Sequence, residues 1–451
     1  MIQAMNLPQL RNVFTRARNS EASADAVIDR HQGAAQARGP GNPVIVIPGV
    51  LGSKLVAESD LHSVWGEWRP GFTDPASGEG AQLFGLPMEI GTPLDQLRSS
   101  SQADGTLGMV RGSVIGVPVK VTAYGDVMSA MGVESFADTF VEDRREALRT
   151  GAAAFEFSYD WRRSLDESAI ALEAFIHRAT RFLQVQRNTS EPIRFDVVAH
   201  SMGGLVLRYF LQYGGQLLPY DGSGPRLNWA GAAYVDKAVI IGTPNAGALK
   251  MLDRLVQGIP GNLLHPAYGP VLVGTFPSGY QLLPRARHKP YAGDDNDILD
   301  PEFWLSRDWG IAASWLDDER ARQLPGLSSP TRRLEVAEDH MRKCLVNARV
   351  FHDAMDRPLE AVPRNLEFHL FVGDAQRTPS QFAGGRGDRH LYWTAYAPGD
   401  GTVLANSVRL DEPDRSPPIP WNSITVLKSS HMGLLKDRDL LGRVLDLLRG
   451  R

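Results

Sequence analysis

The chain has one cysteine, Cys344, in 451 residues. A single thiol allows no intramolecular disulfide, so packing and hydrogen bonds must hold the fold, and a reducing compartment is the simplest fit. Excess positive charge is also missing. The net charge of −4 offers no basic field for nucleic acid, and no nucleic-acid partner is expected. No stretch approaches the ~20 apolar residues that span a bilayer. Residues 1–38 carry scattered arginines but lack the apolar run of ~7–15 residues that a secretory signal needs. A cytoplasmic location is therefore expected, with signal-less secretion left open. There is no metal-ligand spacing, no nucleotide loop and no internal repeat, so no cofactor is expected. The glycines from Gly384 to Gly387 are too irregular to cradle phosphate.

What is present suits a soluble globular protein: 43% hydrophobic and 22% charged residues, enough for one large core or two modest ones. Residues 1–40 are a polar lead-in, helical or loose, ending in Gly39-Pro-Gly-Asn-Pro43. Short apolar, β-branched runs then recur at Val44–Ile47, Ala153–Phe157, Ile193–Ala199, Ala238–Ile241, Leu366–Val372 and Ile424–Leu427. Runs of this kind suit strands buried on both faces. Helical patterns lie between or after them, at Ser168–Gln186, Leu205–Tyr213 and Leu434–Leu448. Alternation of the two predicts an α/β fold with a mostly parallel central sheet.

The stretch 249–363 breaks the alternation, with Phe303, Trp304, Trp309 and Trp315 among many Pro and Gly residues and no strong strand run. It is expected to be an inserted cap or lid over the carboxyl ends of the strands, where α/β folds place ligands. Most of its aromatics are expected to form the cap's own core. The chain thus divides into a lead-in (1–40), a first core part (41–248), the insertion (249–363) and a second core part (364–451). Cys344 is expected to be an ordinary helix side chain.

Chemistry concentrates at Val197-Val-Ala-His-Ser-Met-Gly-Gly-Leu-Val206. An apolar run stops at Ser201, flanked by small residues, and resumes as a helix, the pattern of a nucleophile elbow. Such a turn pushes the serine toward φ > 0 and tolerates only small neighbours, here Ala199 and Gly203. It would aim the backbone N–H of Met202 at an oxyanion. A small-x-Ser-x-Gly pentad is common, so partners must decide. A serine hydroxyl needs a general base and an acid that orients it.

Asp400, in a tight Gly399-Asp-Gly401 turn, and Asp374, directly after a strand run, are both candidates for the acid. His431 is the candidate base, the one histidine downstream of Asp400. A second oxyanion donor is expected from the turn Pro48-Gly-Val-Leu-Gly-Ser53, at Val50. The residues by themselves suggest that Asp160 caps a helix and that Trp161 packs in the core. Trp65 and Trp68 suit either lipid contact or burial beneath the Val50 turn.

Six blocks occur in order: Pro43–Leu55, Tyr159-Asp-Trp-Arg162, Ala199–Gly204, Gly242-Thr-Pro-Asn-Ala-Gly247, Gly399-Asp-Gly-Thr-Val403 and His431. Together they resemble the lecithin:cholesterol acyltransferase-like family of α/β-hydrolases, bacterial relatives included. The resemblance implies the α/β-hydrolase fold and a triad of Ser201, Asp400 and His431, with an oxyanion hole from Val50 and Met202. It favours Asp400 over Asp374, because the family's acid lies in the Gly-Asp-Gly-Thr-Val-like block. It also places Tyr159–Arg162 near the site.

Three functions follow as expectations. The first is a lipase, phospholipase or esterase using an acyl-enzyme intermediate, with a lipid or other ester as substrate and transient contact with a lipid interface. The second is an O-acyltransferase that passes the acyl group to an alcohol. The third is an inactive scaffold used for binding.

Overall fold

The computed structural model describes residues 41–66, 73–107, 110–112, 119–121, 154–261, 266–294, 297–410 and 419–450. The expected lead-in and Trp68 lie outside the described residues. Six strands form the central sheet: β1 (Val44–Ile47), β2 (Ala154–Glu156), β3 (Phe195–His200), β4 (Val235–Ile241), β5 (Glu367–Gly373) and β6 (Ser423–Leu427). Their spatial order is β6-β5-β4-β3-β1-β2, and every neighbouring pair is parallel. Each apolar run marked in the sequence becomes one of these strands, with ends moved by a few residues.

The central strands read as apolar runs because they are covered on both faces. Every residue of β1 and β3 is buried. Full burial of a Val or Ile side chain contributes roughly 1.5–3 kcal/mol, so these strands are a main source of stability. β6 lies at the sheet edge, and there Ile424 and Val426 are exposed.

Helix α1 (Leu165–Gln186) follows β2 and buries Leu172, Phe175, Ile176, Ala179 and Leu183, a stripe at helical spacing. It starts three residues earlier than the pattern indicated. Helix α2 (Met202–Tyr213) follows β3 without a connecting loop, and all its residues are buried.

Between β4 and β5 the chain runs through helices: α3 (Leu249–Gln257), several short ones and α4 (Pro330–Met355). Ser329 caps α4 by accepting from the Arg332 N–H, and Pro330 occupies the first turn, where its missing N–H costs nothing. Phe303, Trp304 and Trp309 are buried and pack within this segment. Cys344 is buried on α4, where burial pushes its thiol pKa up. The C-terminal helical pattern is divided in two. A short 3-10 turn, Leu434–Lys436, precedes α5 (Arg438–Leu448), because Asp437 caps α5 through the N–H groups of Asp439 and Leu440.

Among the described residues three antiparallel units have no counterpart in the sequence expectations, the smallest pairing Val110–Gly112 with Val119–Val121. Ser53–Ala57 pairs with both Ser63–Trp65 and Ser101–Thr106, and Gln376–Ala383 pairs with Tyr392–Gly399 as a hairpin. Ser101–Thr106 reads Ser-Gln-Ala-Asp-Gly-Thr, without apolar alternation.

The helix-cap expectation for Asp160 is wrong. Ser164 precedes α1, while the Asp160 carboxylate accepts from Arg162 N (3.2 Å) and Nε (2.8 Å) in a local turn. Arg162 is fully buried, and its guanidinium donates to the carbonyls of Leu83, Phe84 and Ser101 as well. It ties the small sheet to the front of α1. Arg162→Met would remove the guanidinium donors from buried carbonyls and from the Asp160 carboxylate, and it is expected to cost about 3 kcal/mol in urea unfolding. An unchanged midpoint would show that the guanidinium network is energetically neutral.

Candidate active site

The chain passes from β3 to α2 through Ser201 alone, whose backbone sits at φ 53°, ψ −128°. A non-glycine residue adopts such a conformation only where its surroundings enforce it. Here the Ser201 N–H donates to Ile241 O of the adjoining strand (2.9 Å), and its carbonyl accepts from the Thr243 hydroxyl (2.8 Å). Small residues make the turn possible. A Cβ at Gly203 would lie 2.4 Å from the Pro48 carbonyl oxygen, and one at Gly49 would lie 2.8 Å from the Ser201 Cβ. Ala199 is fully buried.

The structure brings together the serine, histidine and aspartate singled out in the sequence. The Ser201 hydroxyl lies 3.0 Å from His431 Nε2, and His431 Nδ1 lies 2.7 Å from Asp400 Oδ2. The arrangement assigns Nδ1–H as donor to the carboxylate and Nε2 as acceptor of the serine proton. Asp400 is 1% exposed. Its other oxygen accepts from the N–H groups of Thr402 (2.9 Å) and Val403 (2.7 Å). These donors offset the loss of water around a buried carboxylate. A further bond from His431 N to Asp400 O (2.9 Å) joins the two loops through their backbones. The rival acid, Asp374, points elsewhere and pairs with the exposed Lys428.

Val50 lines a cavity of about 150 Å³ together with Ser201 and His431. The turn that carries it is closed by the bond from Gly52 N to Gly49 O (3.0 Å). Met202 begins α2, so its N–H belongs to the first turn, where the helix itself supplies no acceptor. The Tyr159–Arg162 block braces the Val50 turn. Tyr159 donates its hydroxyl to Pro48 O (2.9 Å), and Trp161 donates its indole N–H to Ser53 O (3.0 Å). Trp161 is fully buried, as expected. Trp65 is buried as well and donates to Leu51 O (3.1 Å), which settles it as packing beneath the turn.

Most of the cavity wall is apolar. Leu107 comes from the front of the chain, while Met251, Ile259, Val273, Phe276 and Leu282 come from the inserted segment. Lys250 and Arg254 of α3 are the cationic side chains on the wall.

Three residues near the site had no role in the sequence expectations. Thr243 holds the Ser201 carbonyl, and the Thr378 hydroxyl accepts from Gly401 N (2.9 Å) in the Asp400 turn. The third, His200, is buried beside Ser201, with its ring 4.8 Å from that of His431 and Nε2 donating to His431 O (3.3 Å). Burial, reinforced by repulsion from His431, holds its pKa well below the ordinary histidine value, so it stays neutral. Only His200 carried a local signal, its position next to the serine. The threonines reach the site through long-range contacts.

The sequence pattern of the lecithin:cholesterol acyltransferase family matches residues 136–308, a segment containing Ser201. The matched segment agrees with the resemblance that the sequence blocks carry. No curated protein matches it. Among solved structures, the chain is similar to a Tle4–Tli4 complex at 14% identity and a TM-score of 0.57, covering 92% of this chain and 98% of the other. Lipase BlEst2 from Bacillus licheniformis, in mature form, aligns at 12% identity and 0.32, covering 91% and 94%. EstA from Clostridium botulinum aligns at 11% and 0.34, covering 91% and 87%. The fold is the α/β-hydrolase fold with an inserted segment.

The crowding around Gly203 has a measurable consequence. Gly203→Ala must displace backbone rather than a side-chain tip, and it is expected to lower stability by about 2 kcal/mol in chemical denaturation. A variant as stable as the parent would contradict the tight elbow.

Proposed function

We propose that this protein is a serine-dependent lipid-ester hydrolase that works through an acyl-enzyme. One observation carries the proposal: a continuous hydrogen-bond run from Asp400 through His431 ends in a serine hydroxyl inside an apolar cavity. The family match and the six sequence blocks support acyl-ester chemistry. The backbone of Ser201 supports an enzyme over an inert scaffold, because a binding scaffold has no need of a strained residue there.

In this mechanism the Ser201 oxygen attacks the ester carbonyl carbon while His431 Nε2 takes the hydroxyl proton. Asp400 holds the imidazole in the productive tautomer and stabilises the imidazolium. Charge developing on the carbonyl oxygen is met by the N–H groups of Val50 and Met202. The tetrahedral intermediate collapses, the bond to the leaving alcohol oxygen breaks, and His431 returns the proton to that oxygen. Water then attacks the acyl-enzyme by the same route and releases the carboxylic acid. Apolar side chains of the inserted segment receive the acyl chain, and the segment acts as a cap that limits water around the reacting atoms.

The family match also favours a second outcome in which a bound alcohol, rather than water, takes the acyl group. Both outcomes share every step up to the acyl-enzyme, and they diverge in the product formed when an alcohol is added. The test is turnover of p-nitrophenyl esters and phospholipids, with and without a long-chain alcohol. Ser201→Ala and Asp400→Asn are expected to lower kcat on the order of 10³–10⁴-fold or more, while Asp374→Asn stays near the parent value. A Ser201→Ala variant as active as the parent would overturn the proposal. A drop with Asp374→Asn matching that of Asp400→Asn would refute the assignment of the acid.

A further inference from the structure

The hairpin of Gln376–Ala383 and Tyr392–Gly399 separates its side chains by face. On the inner face Thr378 and Phe382 are buried, with Phe382 packed against Tyr291, Phe303 and Trp309 of the inserted segment. The outer face carries two exposed tyrosines: Tyr392 is 58% exposed and Tyr396 45%. Arg377 shares that face, diagonally across the strand pair, with its guanidinium 5.1 Å from the centre of the Tyr396 ring.

The charge of this unit opposes that of the whole. Between Gln376 and Gly399 stand Arg377, Arg386 and Arg389 against a single acid, Asp388, in a chain whose net charge is −4. Among the described residues none of these arginines forms an ion pair. Arg389 stacks instead on Trp315, 4.5 Å from its ring centre.

The hairpin also borders the cavity. Its second strand leads directly into Asp400 and the cavity residues Thr402 and Val403. Trp393 on the same strand lies beneath Lys250, a cavity-wall residue, at 5.7 Å. At the turn, His390 Nδ1 bonds to Gln257 Oε1 (2.7 Å) and ties the hairpin to α3, the helix that walls the cavity.

Exposed tyrosines with Arg377 beside them match the interfacial region of a lipid layer. Aromatic rings with a polar tip settle at headgroup depth, and guanidinium groups attract anionic headgroups. The geometry points to the outer face of this hairpin, through Tyr392, Tyr396 and Arg377, as the surface that docks the protein on an anionic lipid layer and sets the cavity against it. An acyl chain could then leave the layer and enter the apolar cavity with little exposure to water. The inference rests on the lipid-ester function proposed above.

The test uses the full chain carrying Ser201→Ala, so that vesicles survive the measurement. The protein is expected to co-sediment with phosphatidylglycerol/phosphatidylcholine vesicles and to bind pure phosphatidylcholine vesicles far less. Adding Tyr392→Ser and Tyr396→Ser should lower vesicle partitioning about tenfold, and Arg377→Gln should flatten its dependence on salt. In the active protein the tyrosine pair should slow hydrolysis of vesicle lipid yet leave turnover of a short soluble ester unchanged, which also shows that the fold is intact. Partitioning unaffected by the tyrosine pair would overturn the inference. So would equal losses on vesicle and soluble ester, or a shift in oligomeric state caused by the pair, which would make this face a contact between copies. Failure of the wild-type chain to hydrolyse any ester would sink the enzymatic proposal alone, since sedimentation of the Ser201→Ala chain reads docking separately.

Discussion

The geometry of the site depends on one strained backbone position. Ser201 stands at φ 53° because β3 must end and α2 must begin without a loop between them. Strain of this kind costs on the order of 1–3 kcal/mol and persists only where surrounding contacts over-determine it. Those contacts come from several parts of the chain: Ile241 at the end of β4 and Thr243 after it, Gly49 after β1, and Gly203 against Pro48. In return the hydroxyl stands clear of the sheet and the first turn of α2 lies beside it. The strain is localised where the proposed chemistry would use it, and the largely buried strands on either side supply the rigidity that sustains it.

The remaining groups reach Ser201 by different routes. Asp400 follows the hairpin and His431 follows β6, and both lie at the carboxyl end of the sheet, where α/β folds gather their sites. Backbone bonding between the two loops makes their spacing a property of the fold rather than of flexible side chains. The Val50 turn is held from below by Tyr159, Trp161 and Trp65. This packing does in a chain with one cysteine what a disulfide could do elsewhere. Over this floor the inserted segment contributes most of the cavity's apolar wall.

Much of this was legible in the sequence wherever a local pattern carried it. The six sheet strands showed as apolar runs because burial on both faces leaves no room for polar alternation. Ser201 showed through its small neighbours, and His431 followed from chain order. Asp400 and Asp374 could not be separated by their own residues, since both sit beside glycine in turns. The family resemblance favoured Asp400, and the structure shows why Asp374 is no partner for His431: it is paired with Lys428. The failures also have physical causes. Asp160 was read as a helix cap, because an aspartate shortly before a helical pattern has that local signature, yet its partner is Arg162. The antiparallel units lack the signal of the sheet strands: Ser101–Thr106 is polar, and the eight-residue strands of the hairpin carry no β-branched apolar run. Thr243 and Thr378 act through contacts that no spacing along the chain reveals.

The central claim is that Ser201, His431, Asp400 and the backbone of Val50 and Met202 form one reacting centre. A crystal structure of the protein after reaction with a long-chain fluorophosphonate tests it most directly. The account predicts phosphorus bonded to Ser201 Oγ, the phosphoryl oxygen about 3 Å from both the Val50 and Met202 nitrogens, and the alkyl chain lying along Val273, Phe276 and Leu282. A phosphonate on another residue, or a phosphoryl oxygen turned away from both nitrogens, would contradict it.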